Sequence, residues 1–141
     1  MRYFFDTSVL VPAFLDQHVH HAASSRAYLK ADKKHDGCAA HSLAEVYSTL
    51  TRLPGELRTS GDQAMLFLED MARRLTFIAL DSEEYWETIT NAAASGVLGG
   101  LTYDALLARC AIKAKAETNF TVRIWVIGGF LLRIGWRRQR G

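Results

Sequence analysis

Three carboxylates in this sequence stand where strand-like or glycine-rich chain passes into a helical pattern. Asp6 follows a short apolar run, Glu45 lies near the start of a helical segment, and Asp104 comes shortly after a glycine pair. If these helix starts meet at one end of a sheet, their charges repel one another unless a cation compensates them. Mg²⁺ prefers a few carboxylate oxygens together with water. The three residues therefore predict a divalent-metal site, which could ionise a water and neutralise charge on a phosphodiester.

Each carboxylate also has a structural explanation. Asp6 could cap the helix that follows it, and Glu45 could complete a capping box with Ser42. Asp104 could stabilise the positive end of a helix. Taken singly, the residues leave both explanations open, and only the set of three favours a metal-dependent nuclease.

The elements that must position these residues alternate between strand and helix. Short apolar runs predict three strands, and apolar residues at helical spacing predict six helices. The strands are expected at residues 2–5, 38–40 and 76–80, and the helices at 9–15, 18–29, 42–53, 61–75, 82–93 and 105–114. This alternation predicts an α/β fold with a mainly parallel sheet and helices on both faces, in a single domain over residues 1–141.

Composition narrows the class of protein. The chain is 49% apolar and has a net charge of +2, but residues 118–141 hold five arginines and no acid. That basic tail could attract RNA or could simply be solvated. The start of the chain does not resemble a signal peptide, and Cys38 and Cys110 match no metal-ligand spacing, so we expect a cytoplasmic protein with two free, buried thiols.

Three segments resemble a known family. Phe4-Phe5-Asp6-Thr7-Ser8-Val9-Leu10, His41-Ser42-Leu43-Ala44-Glu45-Val46-Tyr47-Ser48-Thr49-Leu50 and Tyr103-Asp104-Ala105-Leu106-Leu107-Ala108 are similar to the acidic motifs of PIN-domain ribonucleases. Their spacing is that of the VapC toxins of type II toxin–antitoxin pairs. The resemblance covers roughly residues 1–117. It implies a three-layer α/β/α sandwich and an endoribonuclease that depends on Mg²⁺ or Mn²⁺.

The resemblance also implies roles and partners. Asp6 and Asp104 would be the main metal ligands and Glu45 would complete the cluster, while Thr7 or Ser8 and Ser42 would support the metal or position the substrate. A small VapB-type antitoxin and a homodimer would be the protein partners. The sequence permits a dimer through apolar helix positions, namely Leu43, Val46, Tyr47 and Leu50.

The C-terminal segment departs from the family pattern. VapC toxins usually continue into a strand that adds a fourth polar group to the site, whereas Glu117 is the last acid here and only Asn119 could substitute. A change of reading frame could explain residues 119–141, and sequencing the coding DNA would test this. The departure keeps open a second hypothesis, a catalytically weakened PIN-fold module that binds RNA or an antitoxin.

Other readings are weaker. A phospho-receiver domain needs an acid pair after its first strand, and the chain has only Asp6 there. His18, His20 and His21 are expected at the surface without a chemical role. Trp86, Tyr85 and Phe77 are expected in the core because of their helical or strand spacing.

Overall fold

The computed structural model describes residues 1–115 and 118–120 of the chain. In chain order, the described elements alternate as predicted. They are β1 (Tyr3–Phe5), α1 (Thr7–Phe14), α2 (His21–Leu29), β2 (Asp36–Ala39), α3 (Ser42–Arg52), a 3₁₀ turn (Gly55–Leu57), α4 (Gly61–Arg74), β3 (Thr76–Ile78), α5 (Ser82–Ala94), α6 (Leu101–Lys113) and β4 (Thr118–Phe120).

The four described strands form one parallel sheet in the order β3-β2-β1-β4. The first strand is therefore internal, with Tyr3 paired to Asp36 on one side and to Thr118 on the other. Gly37 in β2 has a strict requirement for glycine, because a Cβ at this position would lie 2.6 Å from the carbonyl oxygen of Thr76.

The sheet separates two hydrophobic cores, because successive strand residues point to opposite faces. Phe5 and Cys38 belong to the larger core, which helices α1 to α4 complete. Phe4 and Ala39 belong to the smaller core on the other face, which α6 covers with Leu106 and Cys110. Helices on both faces of a parallel sheet confirm the predicted three-layer α/β/α sandwich.

Strand β2 begins earlier than the sequence predicts, because Asp36 makes long-range contacts. The sequence predicts a polar turn through Asp36, yet Asp36 is a fully buried strand residue. Its carboxylate accepts hydrogen bonds from the Arg2 guanidinium at 2.8 Å and from the backbone N–H groups of Tyr3 and Asp32. These partners offset the cost of burying the charge, so the strand begins two residues earlier than predicted.

Two predictions about apolar residues are wrong. Trp86 is 77% exposed on α5, whose buried residues are Thr88 and Ala92. Val46 and Leu50 lie in the core of the chain itself and are fully buried, so they cannot form a dimer surface. Their burial follows from the packing of α3 beneath the sheet.

Cys38 and Cys110 are free and buried, as predicted. Burial raises the pKa of Cys38 to about 12 and that of Cys110 to about 11, so both thiols stay protonated and unreactive. No helix within the described part of the chain is long and apolar enough to span a bilayer.

Candidate active site

Three helix starts carry the predicted carboxylates to one cavity. Asp6 follows β1 at the N-cap position of α1, Glu45 lies in the first turn of α3, and Asp104 lies in the first turn of α6. Because β1 and β2 are parallel neighbours, the helices that follow them begin at the same edge of the sheet. All three residues line a cleft of about 770 Å³. The structure thus brings together the residues that the sequence analysis singled out.

Helix capping does not explain Asp6 or Glu45. Asp6 occupies the N-cap position of α1 but makes no side-chain capping hydrogen bond. The N-cap of α3 is His41 rather than Ser42, and the predicted capping box with Glu45 does not form. Two other helices do form capping boxes, α4 with Ser60 and Gln63, and α5 with Asp81 and Glu84.

The three carboxylates differ in surroundings. Asp6 is only 7% exposed, and the Ser8 hydroxyl donates a hydrogen bond of 2.6 Å to its Oδ2 atom. The side chain of Glu45 is 38% exposed, and its Oε1 atom lies 3.5 Å from Nε2 of His41. Asp104 is half-buried. Asp6 is therefore the buried member of the set, and Glu45 and Asp104 are partly exposed.

The supporting hydroxyls fall into two groups. Thr7 and Ser8 line the cavity, as predicted for residues that support a metal or a substrate, whereas Ser42 is fully buried and is not part of the cavity wall. The hydroxyl oxygens of Thr7 and Ser42 are buried and have no hydrogen-bond partner among the residues that the structure describes. A buried polar atom of this kind usually contacts an ordered water or an ion.

The three carboxylates are the type of ligand that a hard divalent cation binds. All three carboxylates supply oxygen ligands, as Mg²⁺ and Mn²⁺ prefer. Within residues 1–115 and 118–120, however, no three His, Cys, Asp or Glu side chains are grouped closely enough to hold one ion. Mg²⁺ commonly binds one or two protein carboxylates and keeps several waters, so the residues fit such an ion with water completing its ligands.

The cavity wall contains residues that the sequence analysis left without a role. They are His18, His20, Ser48, Thr49, Arg52 and Tyr103. His18 is exposed, as expected, but partial burial and its neighbours His20 and His21 lower its pKa, which favours a neutral imidazole. The spacing Glu45, Ser48, Thr49 and Arg52 follows one helix face and was the available signal.

The structure describes only part of the segment in which a fourth polar group of the site was predicted. Asn119 lies in β4, opposite Phe4 in the parallel register, beside the strand that leads to Asp6. The role proposed for its side chain, and everything predicted for residues 121–141, fall outside the described residues.

Comparisons with known proteins agree with this geometry. The PIN domain family model matches residues 3–121. The chain is 37% identical over 112 residues to Ribonuclease VapC40 of Mycobacterium tuberculosis, an alignment covering 79% of this chain and 80% of the relative. It is 36% identical over 113 residues to Ribonuclease VapC27 of the same organism, covering 79% of this chain and 78% of the relative.

Solved structures share the fold. The crystal structure of Mycobacterium tuberculosis VapC20, a Sarcin-Ricin loop cleaving toxin, superposes with a TM-score of 0.73 at 13% identity and covers 99% of both chains. VapBC2 from Rickettsia felis, bound to a DNA fragment from its promoter, gives a TM-score of 0.59 at 21% identity, covering 91% of this chain and 92% of the other.

Proposed function

Because this chain belongs to the PIN-domain family and is a VapC-type member of it, we propose that it is a metal-dependent endoribonuclease, the toxin of a type II toxin–antitoxin pair. The observation that carries the proposal is the cavity onto which Asp6, Glu45 and Asp104 open from three separate helix starts. Two of these residues are not used as helix caps, so their positions call for another explanation.

In this proposal Mg²⁺ or Mn²⁺ would bind at the cavity of Asp6, Glu45 and Asp104, with one or two of these carboxylates as direct ligands and water between the ion and the rest. The bound ion would lower the pKa of a water and offset charge on the phosphodiester. The protein supplies positioning: the Ser8 hydroxyl donates a hydrogen bond to one oxygen of Asp6, which lies buried directly after β1. Glu45 is more exposed than Asp6 and lines the same cavity.

The proposed partners follow from the relatives. Because the structure from Rickettsia felis is a VapBC complex, we propose a small VapB-type antitoxin for this chain, which would place an Arg or Lys among the three carboxylates. Co-expression with the neighbouring small reading frame should restore growth, and the two proteins should co-purify. Failure of both results would contradict the pairing.

A homodimer is also proposed, although the surface first expected for it is buried. Of the four positions Leu43, Val46, Tyr47 and Leu50, only Tyr47 is exposed, at 39%. Light scattering at micromolar concentration tests the assembly directly, and a monomeric mass would refute it.

The decisive experiment for the activity uses the purified full chain and end-labelled RNA. We expect cleavage with Mg²⁺ or Mn²⁺ and none with EDTA. Cleavage that persists in EDTA would refute the metal dependence, and no cleavage with either ion would refute the nuclease.

The second candidate, a weakened PIN-fold module that binds RNA or an antitoxin, is favoured by one observation. Glu117 is the last acid of the chain, so the fourth polar contributor typical of the family is reduced at best to Asn119. The same assay separates the two, because the module binds RNA without cutting it.

A further inference from the structure

Helix α5 presents an aromatic side chain to solvent rather than to the core. Of the Trp, Tyr and Phe residues that the structure describes, Trp86 is the most exposed, at 77%. Ile89 is also exposed, whereas Thr88 and Ala92 occupy the buried side of the helix. An exposed tryptophan removes a large apolar area from water once a partner covers it. The packing of the described residues therefore leaves the ring of Trp86 uncovered.

The ring of Trp86 borders an acidic cleft. This cleft has a volume of about 550 Å³ and shares no lining residue with the candidate active site. Four carboxylates and one guanidinium line it, from Asp81, Glu83, Glu84, Glu87 and Arg109. The excess of negative charge favours a cationic ligand over a neutral or anionic one.

Two of these carboxylates flank the ring and can accept a further partner. Glu83 and Glu87 lie on the same face of α5 as Trp86, because residues three and four apart are neighbours on a helix. Glu83 is exposed and forms no ion pair within residues 1–115 and 118–120. The side chain of Glu87 is 60% exposed, and its Oε2 atom lies 3.7 Å from Arg109. The other two carboxylates are already engaged in the capping box of α5.

The chemistry of this surface, formed by Glu83, Trp86 and Glu87 and called here the Trp86 face, suits arginine. A guanidinium is attracted to the face of an aromatic ring, and tryptophan attracts it most strongly. Its N–H groups also match the two oxygens of a carboxylate, so one arginine can contact the ring and the next an acid beside it. The Trp86 face therefore fits a segment that carries several arginines and no acid.

This chain contains such a segment. Residues 121–141, which lie outside the described residues, include five arginines, two of them Arg137 and Arg138, and no acid. They follow β4, which ends at Phe120. In the sheet, β4 lies three strand spacings, or about 14 Å, from β3, the strand that precedes α5. Arg137 is 17 residues beyond Phe120, and a chain of this length can span up to about 55 Å.

We propose that the arginines of residues 121–141 dock on the Trp86 face of the same molecule, with Arg137 or Arg138 over the ring. The inference goes beyond the proposed nuclease function and does not depend on it. An exposed ion pair or cation–π contact contributes at most about fivefold, so docking depends on several contacts together. The covalent connection through β4 assists them, because it gives the segment a high effective concentration at the surface.

Partial proteolysis of the full chain measures this docking. Chymotrypsin cuts after Phe130 in molecules whose segment has left the surface, so the initial rate follows the undocked population. Glu83→Lys combined with Glu87→Lys should raise this rate by about tenfold or more, because two attractions become repulsions. Asp62→Lys combined with Glu69→Lys makes the same charge change at exposed positions of α4 outside the cleft, and should leave the rate within about twofold.

A charge swap and a ring substitution identify the contacts. Arg137→Glu combined with Arg138→Glu should raise the rate in the wild-type background, and should restore slow cleavage when Glu83 and Glu87 are both lysine. Trp86→Leu should raise the rate by about twofold to fivefold, whereas Trp86→Tyr should raise it less because an aromatic face remains. Circular dichroism melts check that each variant is folded, as the exposure of the substituted α5 side chains leads us to expect.

Each outcome supports or overturns the inference. Slow wild-type cleavage after Phe130, faster cleavage in the α5 charge variant and recovery in the charge swap support docking. A wild-type rate as fast as that of the α5 charge variant, or a swap without recovery, overturns it. Protection that grows with protein concentration assigns the Trp86 face to the segment of a second copy and overturns docking within one molecule. Equal rates for wild type and Trp86→Leu overturn the role of the ring.

Discussion

Replacing Asp6 by asparagine should remove catalysis while leaving the protein folded. The substitution keeps the size and shape of the side chain and an oxygen that can accept from Ser8, but it removes the negative charge that would bind a cation. A misplacement of about 1 Å in an active site can cost about a hundredfold in rate. Loss of an entire metal-binding carboxylate should therefore cost at least about a hundredfold, or about 2.7 kcal/mol of transition-state stabilisation.

The expected change in stability is small and can be worked out from the surroundings of Asp6. The hydrogen bond of 2.6 Å from Ser8 to the charged carboxylate becomes one to a neutral amide, which loses about 1 kcal/mol. Removing a charge from a side chain that is only 7% exposed lowers the cost of burying it, which works against this loss. The free energy of unfolding should stay within about 1 kcal/mol of the wild type.

Two measurements check this prediction, initial rates of RNA cleavage with saturating Mg²⁺ and urea unfolding without metal. Asp62→Asn is the matched control, since Asp62 is an exposed carboxylate in the first turn of α4 and lies outside the cavity. Asp104→Asn should behave like Asp6→Asn, and Asp62→Asn like the wild type. A rate for Asp6→Asn within about threefold of the wild type, or a stability loss above about 3 kcal/mol, would show that Asp6 is structural.

Three further predictions concern other parts of the molecule. Asp81→Ala should lower the free energy of unfolding by about 1 kcal/mol in urea titrations, because the N-cap of α5 is lost, and an unchanged midpoint would contradict the capping box. Burial tends to raise the pKa of Asp70, but hydrogen bonds from Tyr28 and Arg74 outweigh this and lower it, so Asp70→Asn should destabilise the protein by about 1–3 kcal/mol at pH 7. Because the folded-state pKa of Asp70 is lowered, its ionised form stabilises the fold above the ordinary carboxyl pKa of 3.8. This stabilisation is lost as the pH falls through the folded-state pKa. An equal loss of unfolding free energy in Asp70→Asn at pH 7 and at pH 2 would therefore refute this account. A chimera that joins residues 1–117 to the C-terminal segment of a VapC relative with the fourth polar group should cut RNA faster than this chain, by up to about a hundredfold, and equal rates would show that three carboxylates suffice.

The helices with the strongest periodicity were predicted almost to the residue. The prediction for α3 covers residues 42–53 and that for α4 covers 61–75, against Ser42–Arg52 and Gly61–Arg74 in the structure. Apolar spacing and terminal breakers are local signals, so they can be read without the fold. The start of β2 depends instead on Asp36 and Arg2, which lie 34 residues apart and share no local pattern.

The error at Trp86 has a different cause. The apolar residues predicted on α5 include Tyr85, which packs against the smaller core, and Trp86 and Ile89, which are both exposed. The helical period was therefore correct, but the buried side of α5 carries Tyr85, Thr88 and Ala92 rather than Trp86. Phase is set by how the helix packs on its neighbours, and small residues on the buried side give little hydrophobic signal.

The candidate site also contains residues that could be placed from the sequence and residues that depend on how the helices pack. Asp6, Glu45 and Asp104 could be placed together because strand ends in a parallel sheet share an edge, a rule that needs only the order of the elements. The helical spacing of Arg52 from Glu45 indicated a shared helix face, but whether Arg52 and Tyr103 line the cavity depends on the direction in which α3 and α6 leave that edge. Their relation to the carboxylates is a property of the packed helices.

The strand order also determines when the protein can fold as it is synthesised. The first strand made, β1, lies between β2 and β4, and its second neighbour, which begins at Thr118, is paired to Tyr3. At about 5–20 residues per second, the ribosome needs roughly 6–23 s to make the chain between these two strands. Asp6 and Glu45 emerge early, whereas Asp104 and β4 emerge late. The growing chain therefore carries an incomplete cavity until Asp104 and β4 have been made.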